Sequence, residues 1–312
     1  DQSAKLEDGL HVYLCGTGGP MPDPKRGGPC VGILAGDRAF VIDAGSGGVR
    51  TLSLMGFPLA RVETIYLTHL HSDHIDGLGE LLLQVWLTGS RTAPVPVVGP
   101  AGTEQVVNGF RTAYLKDSSF RTAHHGTDVA PPSGFGAIPS EVTEDGDALL
   151  VDQNGLKIQF TPVTHSPAKP AFAYRFDYSG RSVAISGDTA YDERFVSLAK
   201  EADLMLHEAL DPEMVETIGA ALAKRGQANM SKVMYDILDY HTSPEDAAKA
   251  ARKAGVGQLV LTHIIPPIRS VVFEAAFLGD APSIRPDVVI AKDGLRLDLP
   301  TSNTDIQKVQ LF

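Results

Sequence analysis

The chain has 312 residues, enough to bury a substantial core, and its 43% hydrophobic and 21% charged residues are typical of a globular protein. It contains no run of about 18 uninterrupted apolar residues, which excludes an obvious membrane span, and we expect no membrane partner. The formal net charge is −11. Because proteins that bind polyanions neutralise phosphates with Lys and Arg, this charge predicts that no long nucleic acid is a partner.

Short apolar runs bounded by Gly and Pro predict strands at residues 11–15, 31–34, 39–42, 64–67, 95–98, 156–162, 172–176, 182–185, 204–206, 258–262 and 288–291. Helical patterns lie between them at 75–86, 103–114, 192–200 and 244–254, with a further helical pair within 213–240. The last strong pattern has Ser243 as its N-cap and Gly255 beyond its end. Strands and helices alternate throughout, which predicts one α/β domain over 1–312.

Two cysteines, Cys15 and Cys30, flank a glycine-rich loop near the N-terminus. If the strands that carry them pair antiparallel, a disulfide is geometrically allowed, but two small buried thiols fit the sequence equally well. The first residue is Asp1 and not methionine, which favours a periplasmic or secreted protein over a cytoplasmic one.

The densest group of potential metal ligands follows the strand predicted at 64–67. It reads Thr68-His69-Leu70-His71-Ser72-Asp73-His74. Histidines two positions apart at a strand end can direct ring nitrogens at one ion, while the aspartate and the next histidine serve a second ion nearby. Three imidazoles would make a poor core segment, because each needs a hydrogen-bond partner when buried. The motif predicts divalent metal, with zinc favoured and manganese or iron as alternatives, and hydrolysis as the chemistry.

This motif resembles the HxHxDH signature of the metallo-β-lactamase superfamily. The other residues of the family pattern follow in order at predicted strand ends: Asp43, His165, Asp188 and His263. The resemblance implies an αββα sandwich of two facing mixed sheets with helices on the outer faces. It also implies that Asp43 orients ligands or the loop that carries them.

By the same resemblance the centre is dinuclear. One ion would be held by His69, His71 and His165 and the other by Asp73, His74 and His263, with Asp188 bridging the two.

Three further segments resemble the ribonuclease Z and arylsulfatase-like branch, which includes phosphodiesterases, and extend the likeness over about residues 11–298. They are Cys15-Gly16-Thr17-Gly18-Gly19-Pro20, His207-Glu208-Ala209 and His241-Thr242-Ser243. The resemblance implies that a metal-bridging hydroxide, oriented by Asp73, attacks a small phosphodiester or aryl sulfate ester. His241 would protonate the leaving oxygen, and Glu208 would orient and charge that imidazole. The alternative is structural: Glu208 as an ion-pair partner and His241 as a residue before a helix cap.

One departure from ribonuclease Z bears on the substrate. That enzyme carries a long arm that grips transfer RNA, whereas here His165 and Asp188 are separated by 22 residues, too few for an arm. With the acidic charge, this makes transfer-RNA 3′ processing less favoured and predicts a small anionic ester as substrate. Lactonase, carboxylesterase or β-lactamase activity stays open, since the same centre can attack carbonyl groups. The sequence also leaves a homodimer open.

A polar segment before His165 is the candidate for substrate binding. It contains Tyr114, Asp117, Arg121, His124 and His125, a set that could hold an anionic group as a lid. The alternative is a solvated loop with an internal pair between Asp117 and Arg121.

Overall fold

The computed structural model describes residues 6–145 and 148–312. The strands in these ranges are β1 (Gly9–Gly16), β2 (Cys30–Ala35), β3 (Arg38–Ile42), β4 (Val62–Tyr66), β5 (Val95–Gly99), β6 (Ala137–Glu141), β7 (Ala148–Gln153), β8 (Leu156–Val163), β9 (Ala171–Tyr178), β10 (Arg181–Ile185), β11 (Leu204–Leu210), β12 (Gln258–Ile265), β13 (Val289–Ile290), β14 (Leu295–Pro300) and β15 (Gln307–Gln310). The helices are α1 (Gly48–Leu54), α2 (Ser72–Ile75), α3 (Leu78–Thr88), α4 (Thr103–His125), α5 (Glu193–Leu198), α6 (Pro212–Lys224), α7 (Ala228–Asp236), α8 (Pro244–Ala254), α9 (Val271–Leu278) and α10 (Ala281–Ile284). Short 3₁₀ turns lie at Leu59–Arg61, Pro132–Gly134 and Ile237–Asp239.

The strands form two sheets. The first has the order β15-β14-β1-β2-β3-β4-β5-β6 and the second the order β13-β12-β11-β10-β9-β8-β7. Each sheet is mixed: β3, β4, β5 and β6 run parallel, as do β10, β11, β12 and β13, whereas the remaining neighbours pair antiparallel.

Alternating side chains divide the core into layers. Leu10, Val12 and Leu14 of β1 point inward and pack with Phe160 and Tyr174 of the facing sheet. On the other face of the first sheet, a second buried cluster joins β1 and β3 to α1, α3 and α4. A third joins the outer face of the second sheet to α5, α8, α9 and α10. The predicted αββα sandwich is therefore confirmed.

Two predicted helices have different bounds in the structure. The helix predicted at 75–86 is broken at Gly77, whose N–H donates to the Ala44 carbonyl at 2.7 Å and whose position leaves no space for a side chain. The helix predicted at 103–114 continues to His125, so the polar segment beyond 114 is helix and not loop. The prediction of one domain over 1–312 stays a prediction, since residues 1–5, 146 and 147 lie outside the described ranges.

The two cysteines form a disulfide. Their strands β1 and β2 pair antiparallel, and the Cα atoms of Cys15 and Cys30 are 5.0 Å apart. The bond closes the loop between them, which lies over one side of the candidate site. Of the two alternatives that the sequence leaves open, the structure has the disulfide.

Candidate metal centre and active site

The candidate ligands lie where several strands end. His69 and His71 follow β4, whereas His165 follows β8 and Asp188 follows β10. The sequence after a buried strand can turn at the sheet edge and point a polar side chain into the space between the sheets. His263 lies within β12 itself. Candidate ligands from four strands therefore meet at one edge of the sandwich, together with Asp73 and His74 on the short helix α2.

Three imidazoles converge on one point. His71 Nδ1 lies 2.9 Å from His69 Nε2 and 3.2 Å from His165 Nε2. Burial lowers the pKa of each of these histidines, so the rings are neutral at pH 7 and present lone pairs. Nitrogens bound about 2.0–2.1 Å from a tetrahedral zinc ion lie roughly 3.3 Å apart, which is close to this spacing. This group has the chemistry of a metal site.

The second group consists of Asp73, His74 and His263. Asp73 Oδ2 lies 3.3 Å from His263 Nε2 and 3.7 Å from His74 Nε2. His263 has a left-handed backbone with φ of 46° at a bulge where β12 shifts register against β11. Such a conformation is costly for a residue with a side chain, and it aims this imidazole out of the strand and toward the cluster.

Asp188 joins the two groups. Its Oδ2 lies 3.3 Å from Nε2 of both His74 and His263. The same oxygen lies 3.7 Å from His69 Nε2 and 3.8 Å from His165 Nε2. One carboxylate oxygen therefore faces both candidate sites, the arrangement that a bridging ligand requires.

Unpartnered polar atoms support a fit to metal ions. Among the described residues, His74 Nε2 and Asp188 Oδ1 are buried and have no hydrogen-bond partner. Leaving such atoms unsatisfied is costly, and the cost is removed when a ring nitrogen or carboxylate oxygen binds a cation. The donor set of imidazoles and carboxylates suits zinc, manganese or iron.

Asp43 forms hydrogen bonds with the segment that carries His69, His71, Asp73 and His74. Its carboxylate accepts from the Thr68 N–H at 2.8 Å, from the Thr68 hydroxyl at 2.8 Å and from His74 Nδ1 at 2.7 Å. The last bond fixes the tautomer of His74 and leaves Nε2 as the nitrogen that faces Asp188. These contacts are compatible with an orienting role for Asp43, which stays a prediction.

Glu208 and His241 form a buried pair beside the cluster. His241 Nδ1 donates to Glu208 Oε1 at 2.9 Å, and the same oxygen accepts from the N–H groups of Thr189 and Thr242. Burial alone would lower the pKa of His241, but the charge and hydrogen bond of Glu208 outweigh it and raise that pKa. His241 also groups with Asp188 and His263, their ligand atoms lying within 4.8 Å of one another.

Tyr240 is a neighbour of the centre that the sequence analysis does not identify. Its backbone carbonyl accepts from His165 Nδ1 at 3.0 Å, and its ring packs edge-on against the His165 ring at 4.8 Å. These contacts join residues 75 positions apart, so no local sequence pattern points to them.

A cavity of about 970 Å³ opens beside Asp73. Its wall includes Asp76 and the disulfide-closed loop, from which Lys25 and Arg26 contribute. Space for a substrate therefore exists next to the candidate ligands.

The five residues predicted as a substrate lid lie along α4. Tyr114 packs against Gly79, Arg121 pairs with Asp117 at 2.7 Å, and the rings of His124 and His125 contact each other at 4.9 Å. None of the hydrogen bonds, ion pairs or ring contacts found in the described ranges joins them to the metal-capable cluster. Their role in substrate binding stays a prediction.

Comparison with known proteins identifies the family. Residues 38–264 match the model of the beta-lactamase superfamily domain, a span that runs from β3 to the ligand-bearing strand β12. The chain belongs to the metallo-β-lactamase superfamily. It is a metal-dependent hydrolase of that superfamily, as the sequence predicts.

Sequence relatives indicate to which branch of the superfamily the chain is similar. Ribonuclease Z of Mycobacterium bovis (strain BCG / Pasteur 1173P2) is 37% identical over 261 residues, which cover 83% of this chain and 87% of the relative. Ribonuclease Z of Mycobacterium marinum (strain ATCC BAA-535 / M) is 35% identical over 261 residues, with coverage of 83% and 88%. The predicted likeness to ribonuclease Z is confirmed.

Solved structures share the fold. The metallo-β-lactamase-fold protein YhfI of Bacillus subtilis superposes with a TM-score of 0.65 at 21% identity, over 93% of this chain and 100% of its own. Human tRNase Z, short form, gives 0.64 at 24% identity, over 93% and 99%. At these identities the likeness establishes the architecture alone.

The exclusion of long nucleic acids is wrong for this family, because the relatives above are ribonucleases. Net charge averages over the whole surface, whereas nucleic-acid binding needs only local basic groups. Exposed Lys25, Arg269 and Lys292 line one cavity of about 640 Å³, which shares Lys25 and Arg26 with the cavity beside Asp73. Basic side chains therefore lie beside the candidate metal centre, and carboxylates line the same two cavities.

No helix in the described ranges is both long and apolar enough to cross a membrane. The comparisons give no support to the predicted export.

Proposed function

We propose that this protein hydrolyses phosphodiester bonds and that RNA, transfer-RNA precursors in particular, is its substrate class. The observation that carries the proposal is the buried Glu208–His241 pair, with a Nδ1 to Oε1 distance of 2.9 Å, beside a metal-capable cluster. Hydrolysis of an ester whose leaving group is a sugar oxygen needs a proton donor at that oxygen. An imidazole that is hydrogen-bonded to a carboxylate and lies next to the cluster meets that need.

His241 acts as the donor in this proposal. Because its Nδ1 is committed to Glu208, the proton that faces the cluster is on Nε2. Burial alone would lower the pKa of His241, but the charge and hydrogen bond of Glu208 raise it, which favours the protonated ring that this role requires. Glu208 acts as a positioning residue, since its charge and hydrogen bond set both the orientation and the protonation of the ring.

The metal-binding residues in the proposal are His69, His71 and His165 at one site and Asp73, His74 and His263 at the other, with Asp188 between them. Two divalent ions, zinc by preference and manganese or iron otherwise, would supply Lewis-acid activation of water and neutralisation of phosphate charge when bound. Asp73 lies at the open side of the cluster, where its carboxylate can orient the attacking water.

The relatives named ribonuclease Z, 35–37% identical over more than four fifths of this chain, support RNA as the substrate class. The basic residues that line the neighbouring cavities can form ion pairs with the phosphate backbone of an RNA. A second candidate is the hydrolysis of small phosphodiesters or aryl sulfate esters. One observation favours it: the connection from His165 to Asp188 is occupied by the paired strands β9 and β10, with no inserted arm.

The deciding experiment compares substrates under metal-replete conditions. A transfer-RNA precursor with a 3′ trailer, the same RNA without its trailer, bis(nitrophenyl) phosphate and nitrophenyl sulfate are each incubated with the protein, with and without chelator. We expect chelator-sensitive, site-specific cleavage of the precursor and slower turnover of the small diester. Turnover of the sulfate in preference to every phosphodiester, or no cleavage of either phosphodiester substrate, would refute the proposal.

A further inference from the structure

Tyr240 lies next to the candidate metal centre but has no role in the reaction proposed above. Three rings form a compact triangle at the edge of the cluster: His165 lies 4.8 Å from Tyr240, Tyr240 lies 4.9 Å from His241, and His241 lies 5.2 Å from His165. One corner is a candidate metal ligand and another is the proposed proton donor. The third corner is a phenol.

The backbone of Tyr240, and not its side chain, orients His165. The Tyr240 carbonyl accepts from His165 Nδ1 at 3.0 Å, and any residue at this position would offer the same carbonyl. The aromatic side chain is therefore not required to fix the tautomer of His165.

The hydroxyl group of Tyr240 is available to a ligand. The ring is partly buried and packs against the cluster that contains Ile237 and Ile265, and the hydroxyl has no hydrogen-bond partner among the described residues. A tyrosine phenol has an ordinary pKa of about 10. At neutral pH the hydroxyl is therefore a hydrogen-bond donor that carries no charge.

A donor at this corner suits the group that the proposed reaction brings to the site. A phosphodiester held between the cluster and His241 has two non-bridging oxygens that gain negative charge in the transition state, and neutral donors aimed at such oxygens stabilise that charge. We propose, resting on the proposed function, that the Tyr240 hydroxyl donates a hydrogen bond to a non-bridging oxygen of the scissile phosphodiester. This makes Tyr240 a catalytic residue distinct from His241, because it stabilises charge and transfers no proton.

Tyr240→Phe removes the hydroxyl and keeps the ring and the backbone carbonyl, so folding and the His165 contact are retained. Tyr235→Phe is the matched control, since Tyr235 lies five positions earlier, on α7, and is 44% exposed. For Tyr240→Phe we expect kcat to fall about 10- to 100-fold on small phosphodiesters. This is smaller than the usual loss for an enclosed oxyanion-hole donor, about 100- to 1000-fold, because Tyr240 is only partly buried. Bound metal should be unchanged, KM should change less than kcat, and Tyr235→Phe should match the parent protein.

Two small diesters, one with a nitrophenyl and one with an alkyl leaving group, distinguish charge stabilisation from proton transfer. Equal losses on both are expected for Tyr240→Phe. A kcat within twofold of the parent, a loss confined to the alkyl substrate, or a loss of bound metal would each overturn the proposal.

Binding of inorganic phosphate to the metal-loaded proteins, followed by calorimetry, gives a second test that needs no turnover. Weaker binding by Tyr240→Phe than by Tyr235→Phe is expected, and equal binding contradicts the proposed hydrogen bond. If the parent protein hydrolyses no phosphodiester, the proposed function fails, while this measurement still decides whether Tyr240 contacts a phosphoryl oxygen.

Discussion

Glu208 Oε1 lies 2.9 Å from His241 Nδ1 and also accepts from the backbone N–H groups of Thr189 and Thr242. The carboxylate is 1% exposed, so its charge acts on the imidazole with little screening by water. The residues that make these contacts come from three separate segments, after β10, in β11 and before α8. Folding of the second sheet therefore assembles the pair.

The first prediction tests His241 as the proton donor. A positioned acid contributes roughly 10²–10⁴-fold when the leaving group is basic and much less when it departs as a stabilised anion. His241→Ala should therefore depress turnover of an alkyl phosphodiester far more than turnover of its nitrophenyl analogue. Kinetic assays of both substrates, with elemental analysis of the metals, check this expectation.

Glu208→Gln should show the same bias in milder form, because it removes the charge but keeps the size of the side chain. Equal losses on both diesters, or depletion of metal in His241→Ala, would mean that His241 is a ligand or a structural residue and that another group protonates the leaving oxygen.

The second prediction concerns Asp188. One of its oxygens lies within 3.8 Å of ring nitrogens in both ligand groups, so Asp188→Ala should lower metal occupancy at both sites and not at one alone. The parent protein is expected to hold close to two ions per chain and to lose activity in chelator. Retention of two ions and normal turnover by the variant would rule out the bridging assignment.

The residues of the metal-capable cluster could be predicted from sequence because each of them lies in or shortly after a short apolar strand. The tertiary fold brings strand ends together, so local patterns around His69, Asp188 and His263 carry long-range information. Glycine and proline likewise mark the ends of helices such as α8, whose predicted bounds match the structure.

Other features depend on contacts that no local pattern encodes. Only Thr103, Val107 and Ser118 of α4 are buried, so the second half of this helix has no apolar stripe and resembles a loop in sequence. The disulfide depends on how β1 pairs with β2, which the sequence does not fix. The position of Tyr240 beside the cluster depends on its contact with His165, 75 positions away.

The third prediction separates two contributions of Asp43: its charge opposite His74 and its hydrogen bonds to the loop that begins at Thr68. Its backbone is left-handed, with φ of 57°, a conformation that Asn tolerates well. Asp43→Asn keeps the backbone and an acceptor oxygen but loses the charge opposite His74, so metal affinity should fall about 10- to 100-fold with a small change in Tm. Asp43→Ala should lower both. Competition with a chromogenic chelator measures the affinity, and unaltered affinity in both variants would contradict an orienting role.

The fourth prediction is that the Cys15–Cys30 bond stabilises the fold. It closes a loop with a sequence separation of 15, and the entropy lost by the unfolded chain on closing a loop of this size is worth about 3 kcal/mol. Replacing both cysteines by serine should lower the free energy of unfolding by about that amount. Reducing agent should reproduce the loss in the parent protein and leave the double variant unaffected, and chemical denaturation measures both. An unfolding free energy equal to that of the parent would contradict the prediction.

The last prediction compares a closely packed glycine, Gly45, with an exposed glycine, Gly109. A Cβ at Gly45 would lie 2.3 Å from the Gly28 carbonyl carbon and 2.4 Å from the Asp73 carbonyl oxygen. Gly45→Ala must therefore push the disulfide-closed loop away from α2, and we expect a loss of about 1–3 kcal/mol in stability together with weaker metal binding. Gly109 is exposed within α4, and a Cβ added there would have no neighbouring atom within 4 Å, so Gly109→Ala should instead stabilise by about 0.5–1 kcal/mol through helix propensity and leave metal content unchanged. Thermal unfolding and elemental analysis of both variants give the comparison. Equal effects of the two substitutions would show that close packing of Gly45 against the Asp73 backbone does not hold the metal-binding loop.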